Sequence, residues 1–165
     1  MVAVLCAPMQ AADDGLKKAL ALVRMATAVF FLFFGEYKVA SGAFAHGGLA
    51  GWINGFIQHE AVGWYGALLA RWVLPHQVFW GYFVGVGELL IGFSLLLGVW
   101  VRPASVAGAF YMLNLTLATW FAPGHGFPWW RYLGNNLDHI PLLFLFVLFY
   151  AGRAGERWGV DGIGK

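Results

Sequence analysis

The sequence predicts an all-α integral membrane protein: a four-helix bundle with an extra amphipathic, interfacial helical segment between the first and second spans. Three observations lead there. Of 165 residues, 61% are apolar and only 11% are Asp, Glu, Lys or Arg, against roughly 25% charged residues in an ordinary soluble domain. Aromatic residues make up 18%, the opposite of a disordered composition. Glycine, proline and charge divide the chain into four long apolar stretches. Because a spanning helix takes about 20 residues, the chain holds four spans in one membrane domain, 1–165, with no room for a soluble domain.

The first expected span is 16–38. Residues 1–15 lack the basic leader of a secretory signal and read as a retained tail. Lys17, Lys18 and Arg24 mark the start of the span, where the two lysines at the first turn reach the headgroups. Residues 39–78 differ in kind. They are glycine-rich through Gly42, Gly47 and Gly48, then amphipathic through Trp52, Ile53, Phe56, Trp64 and Leu68. With His46, His59, Glu60, Arg71 and His76 this outer segment is too polar to span, so it either lies in the interface or caps the bundle. The second span, 79–100, carries one charge, Glu88. Arg102 and Pro103 are expected to form the turn into the third span, 104–121, since proline suits a helix start. Pro123, Gly124, Gly126 and Pro128 then break the chain. The fourth span, 132–151, is polar in its first half and apolar in its second.

Lysine and arginine set the expected orientation. With both termini inside, the inner side has Lys17, Lys18, Arg24, Arg102, Arg153, Arg157 and Lys165, and the outer side Lys38, Arg71 and Arg131. The excess favours a multi-pass plasma-membrane protein with both termini cytoplasmic.

An ionisable residue inside a membrane costs about 2.5–3.5 kcal/mol on insertion scales, so each is a functional candidate. Glu88 lies about 13 Å below the outer interface by helical rise. It shares a face with Gly81, Gly85 and Gly92, and small residues at that spacing admit a neighbouring helix. Glu88 should therefore face the bundle. In the fourth span Asn135, Asp138 and His139 share a face by the same spacing. In the third, Tyr111 and Asn114 do. Glu36, with Lys38 beside it, closes the first span. All these groups fall in the outer half.

Absent motifs narrow the chemistry. Cys6 is the only cysteine, so C-x-x-C electron transfer between thiol and quinone is excluded. His139 is the only histidine within a span, and a bis-histidine haem needs two. No flavin or metal site, P-loop, H-E-x-x-H or G-x-S-x-G is evident. With no basic run, nucleic acid is not an expected partner.

FLFFGEYK at 31–38 after an arginine in the first span, GELLIGFSLLLGVWVRPASVAG at 87–108 and AGRAGERWGVDG at 151–162 resemble the DoxX/DoxD family of small four-helix membrane proteins. The resemblance implies a membrane subunit of the thiosulfate:quinone oxidoreductase type, or a redox protein working with soluble partners. Glu36, Lys38, Glu88 and Arg102 match the family pattern by position; their roles come from the depth argument. Two readings follow. In the first, a quinone-interacting redox subunit oxidises a small reduced sulfur compound such as thiosulfate. Glu88, or Asp138 with His139, relays protons; Glu36, Lys38, Tyr111, Asn114 and Asn135 line the quinone site; the outer segment admits the sulfur anion near His59, Arg71 or His76. In the second, a non-enzymatic scaffold or assembly subunit docks a soluble redox partner. The expected partners are the lipid bilayer together with a second small subunit, a soluble redox protein or a second copy of the chain.

Overall fold

The computed structural model describes residues 2–120 and 128–163, with side chains from residue 13 onward apart from Tyr132 and Asn135. Every regular element among the described residues is helical. Four long helices, α1 (Val2–Ala40), α4 (Gln77–Leu97), α5 (Val101–Ala118) and α6 (Trp129–Ala151), are joined by a cap holding two short ones, α2 (Leu49–His59) and α3 (Gly63–Leu68). Two stretches, Asp13–Ala40 and Gly63–Leu97, are long and apolar enough to cross a membrane, and the 16-residue stretch Asn136–Ala151 is apolar but shorter.

α1 begins far before the expected span. Its early part is alanine-rich, and Asp13 and Asp14 each meet the lysine four residues on, Lys17 and Lys18, at 2.6 Å, a spacing that supports a solvated helix. The expected tail is therefore helical. α1 packs closely on α4 because the glycines at the seam leave no side chain in the way. A Cβ at Gly92 would lie 2.8 Å from Leu32, one at Gly85 2.8 Å from Val39, and one at Gly35 2.9 Å from the Gly85 carbonyl. Gly81 gives the same access to the backbone of Ala45. The face predicted from glycine spacing is thus the face that meets α1 and the start of the cap.

The outer segment caps the bundle; it is not one interfacial helix. After α1 the chain bends through Gly42 and Gly47, with φ of +65° and +139°, a region only glycine enters cheaply. Phe44, Leu49, Ile53, Tyr65 and Leu69 of the cap then form a buried cluster with Ala118 at the end of α5. α3 runs almost unbroken into α4 through a wide π-type turn at Leu69–Val73 and a tight turn at Leu74–His76. Pro75 explains the irregularity: it lacks an N–H, and its ring displaces the carbonyl four residues before it.

The connection between α4 and α5 falls earlier than predicted. Gly98, in the left-handed conformation at φ +66°, ends α4, and Trp100 starts α5. Arg102 and Pro103 lie in the first turn of α5, where a missing proline N–H leaves no bond unmade, and the Arg102 guanidinium sits 4.3 Å from the Tyr150 ring. α5 pairs with α6 through Gly108, whose place a Cβ could not take without striking the Phe146 ring. The tail after α6 folds back on this end of the bundle. Arg157 meets Asp14 at 3.0 Å, and Arg24 donates to the Trp158 carbonyl at 3.0 Å, so both ends of the described chain lie opposite the cap.

Candidate functional site

Beneath the cap, three helices each bring one polar side chain to one point. Lys38 comes from the last turn of α1, Glu88 from the middle of α4 and Tyr111 from α5. The Lys38 ammonium donates to both carboxylate oxygens of Glu88 at 2.5 Å. The Tyr111 hydroxyl donates to Oε1 at 2.6 Å. Glu88 is 5% exposed and Lys38 13%, so this is a nearly buried ion pair with a phenol on its acceptor side. The Lys38 ammonium also lies between two rings, 5.6 Å from Phe34 and 5.4 Å from Phe44, positions at which a cation is attracted to the aromatic face. Phe44, on the turn after α1, forms the roof.

The glycine seam sets this geometry. Lys38 and Val39 press against Gly85, one turn before Glu88, and a larger residue there would push α1 away and stretch the ion pair. On the other side Phe31 meets the Tyr111 ring edge-on at 6.3 Å, which holds the phenol toward α4.

Further toward the cap, α5 makes two more polar contacts. Asn114 accepts from the Tyr65 hydroxyl of α3 at 2.7 Å and donates to the Phe110 carbonyl at 2.6 Å. Thr119, just past α5, lies 3.2 Å from Nδ1 of His139 on α6, and Asn136 donates to the Thr119 carbonyl at 2.9 Å.

Of the residues singled out from sequence, Glu88, Lys38 and Tyr111 meet, Asn114 lies one turn away along α5, and His139 packs on Thr119. The others are elsewhere. Asp138 is exposed and does not share the inward face of His139. The α6 surface turned to α5 runs through Asn136 and His139, and the residue 100° before His139 on the helix falls outside it. Glu36 is exposed on α1, while His59 and Arg71 lie on the exposed surface of the cap, Arg71 over Trp72 at 5.7 Å. The side chain of Asn135 is outside the described residues.

Sequence reasoning missed a second polar cluster, at the end opposite the cap. Arg24, counted from the sequence with the basic residues of the inner side, is fully buried. Its guanidinium lies where side chains at Gly98 and Gly159 would stand. Beside it the Asp161 carboxylate accepts from the backbone N–H groups of Trp100 and Val101 at 2.9 and 3.0 Å, capping α5, and its own N–H donates to the Gly98 carbonyl at 2.8 Å. Trp100, Arg153 and Trp158, the three non-glycine residues with positive φ among those described, all sit here. The signal was present: Arg24 is a lone charge well inside an apolar run, and the tail motif carries Asp161 as its next-to-last residue.

The family model that matches the chain is the one described as DoxX, over residues 19–122, a stretch that contains Arg24, Lys38, Glu88, Tyr111, Asn114 and Thr119. No curated protein and no solved structure is similar enough to the chain to match.

Proposed function

The chain belongs to the DoxX family, and on that premise we propose that it is a plasma-membrane redox subunit, four spans with both termini cytoplasmic, in which the Lys38–Glu88–Tyr111 group binds a quinone headgroup and handles its protons. The observation that carries this reading is the ion pair itself. Three helices bring a base, an ammonium and a phenol together where apolar side chains would be easier to bury. Lys38 has three N–H groups; two serve Glu88, and the third is left for a quinone oxygen. Two molecules of a small reduced sulfur compound such as thiosulfate give up one electron each as an S–S bond forms between them, and the quinone takes those two electrons and two protons, becoming quinol. Glu88 is the side chain placed to pass those protons. With one cysteine in the chain and no dithiol, the chain itself offers no thiol route for the electrons, which pass either directly from donor to quinone or through a partner subunit.

The test is thiosulfate-dependent quinone reduction in proteoliposomes. Wild type should turn over, and Glu88→Gln should lose at least about tenfold in rate, the lower range for a removed acid–base group being roughly a hundredfold. Equal rates in the two proteins would remove Glu88 from the chemistry, and inactivity of both would sink the enzyme reading for the chain alone.

A second reading rests on the cap. Trp52, Trp64 and Trp72 are each about 60% exposed there, and tryptophan is enriched where proteins dock. On that reading the chain is a scaffold for a soluble redox partner, and removing 49–74 would abolish partner recovery while Glu88→Gln would leave it intact.

A further inference from the structure

Polar side chains are distributed unevenly about Glu88. On the side away from the cap the interior next to Glu88 is apolar, and the buried hydroxyls beyond it, Thr27 and Ser105, each donate to a carbonyl of their own helix. Ile91 and Leu95 follow Glu88 on α4, about 4.5 and 10.5 Å further along by helical rise. Phe31, Phe146 and Phe149 fill the space between the helices, and all five are at most 7% exposed. Phe31 and Phe146 meet edge to face at 5.4 Å, as do Phe146 and Phe149 at 6.1 Å. Arg24 lies beyond this layer and is bound to the tail. On the cap side, Tyr111 and Asn114 of α5 and Thr119 just past its end span about 12 Å of rise, and each meets a different element: Glu88 of α4, Tyr65 of α3 and His139 of α6, with the Thr119 hydroxyl also donating to the Leu115 carbonyl.

We propose that Glu88 exchanges protons with water at the cap end only, along α5 by way of Tyr111 and Thr119, with His139 as the entry group. The proposal deepens the reading of Glu88 as a proton-handling residue and rests on it. Tyrosine and threonine hydroxyls both donate and accept, and imidazole does so at its two nitrogens, so Tyr111, Thr119 and His139 with intervening water pass a proton along, while the Asn114 amide, bonded to Tyr65 and the Phe110 carbonyl, lines the path without carrying the proton. Phenyl and aliphatic side chains offer nothing of the kind, and a charge moving through them meets the full cost of hydrocarbon. The step balances simply. A proton from water reaches His139 and leaves the path on a Glu88 oxygen; the carboxylate becomes the neutral acid while Lys38 keeps its charge, so the group gains one positive charge.

Among the described residues, the titratable groups that face Glu88 are Lys38 from α1 and Tyr111 from α5. The turn after α1 presents Phe44 to Lys38, while its His46 faces Tyr82 at 6.2 Å. α6 contributes His139, at the far end of the path, and no other residue of α4 beside Glu88 is titratable between Gly85 and Leu97.

The experiment uses the full chain in proteoliposomes sorted by orientation, with the lumen buffered, and a rapid pH jump applied outside. Time-resolved infrared absorption follows the Glu88 carboxyl band, identified by its loss in Glu88→Gln. Vesicles with the cap outward should respond at once; those with the termini outward should respond roughly 100-fold more slowly, given the cost of charge in an apolar layer, until a protonophore is added. Thr119→Val and His139→Ala should slow the cap-side response at least fivefold, and Thr119→Ser should restore it. Circular dichroism and thermal unfolding identify any variant that fails to fold, and the serine and alanine variants then decide. Equal rates from the two ends, a fast response from the termini end, a carboxyl band that never moves, or unchanged rates in both folded variants would each overturn the proposal. Because the readout needs neither quinone nor sulfur donor, a protein that passes here and fails the turnover assay loses only the redox reading.

Discussion

Replacing Lys38 by methionine, alone and together with Glu88→Gln, measures how strongly the two charges are buried together. The ammonium lies 2.5 Å from both carboxylate oxygens, and the carboxylate is 5% exposed. At an effective dielectric of about 20, unit charges about 4 Å apart interact by roughly 4 kcal/mol. Leaving one member of a buried pair without its partner costs about 3–5 kcal/mol. Lys38→Met should therefore destabilise the protein by about 3 kcal/mol or more, since Tyr111 alone remains to solvate the charge. Glu88→Gln should cost less, because Lys38 is the more exposed partner, at 13%, and its long stem can carry the ammonium out toward the cap. The double variant should recover most of the loss, since a neutral amide beside a thioether still accepts from Tyr111; its cost is about 1 kcal/mol, one hydrogen bond weakened. Unfolding in mixed micelles, titrated with a denaturing detergent and followed by tryptophan fluorescence, yields all four corners of the cycle. A Lys38→Met loss below about 1 kcal/mol, as for a surface pair, or a double variant no better than the single, would refute the claim that the charges are buried together.

Two further outcomes are expected from packing and capping. Gly92→Leu should cost about 1–3 kcal/mol by overpacking against Leu32, whereas Gly87→Ala, where a Cβ meets nothing within 4 Å, should leave thermal unfolding in detergent unchanged. Asp161→Ala removes the acceptor for two N–H groups at the start of α5 and should cost about 0.5–2 kcal/mol, with faster proteolytic clipping of the tail after residue 152; unaltered clipping would show that the tail is held by other contacts.

Much of the bundle was legible because its signals are local. Glycine at spacings of four, three and four around Glu88 states which face of α4 must approach a neighbour, and the structure seats α1 there. Composition disclosed the change of character at residue 39, but not that Phe44, Ile53 and Tyr65 find a core with Ala118, because that packing depends on chain brought back from far away. The turn before α5 was misplaced by three residues for a related reason. Proline announces a helix start without saying how far into the first turn it stands, and the residue that ends α4 is an ordinary-looking glycine held at positive φ.

Site residues followed the same division. A carboxylate inside an apolar run is conspicuous by its cost, whereas its partner is 50 positions away and looked like a residue at the rim. Asp138 and His139 are neighbours in sequence but 100° apart on a helix, about the full width of a buried stripe, so spacing could not say that one turns in and the other out. Asp161 was harder still. Its targets are backbone N–H groups, which no side chain advertises.

Stability gives no reason for the Lys38–Glu88–Tyr111 group. A buried ion pair is often no better for folding than apolar residues of the same volume, and within a bilayer the alternative of leucine, methionine and phenylalanine carries no desolvation cost. The glycine seam shows that α1 and α4 already meet closely along Gly35, Gly85 and Gly92 without help from charge. The ion pair adds a constraint where none is needed for packing. It is placed beside Phe44, with an apolar, largely aromatic layer on one side and polar side chains of α5 on the other. A group that adds nothing to folding and is oriented by three separate helices fits the proposed part in proton handling, and on that proposal Glu88→Gln, the variant that leaves the milder packing cost, should show its loss first in turnover.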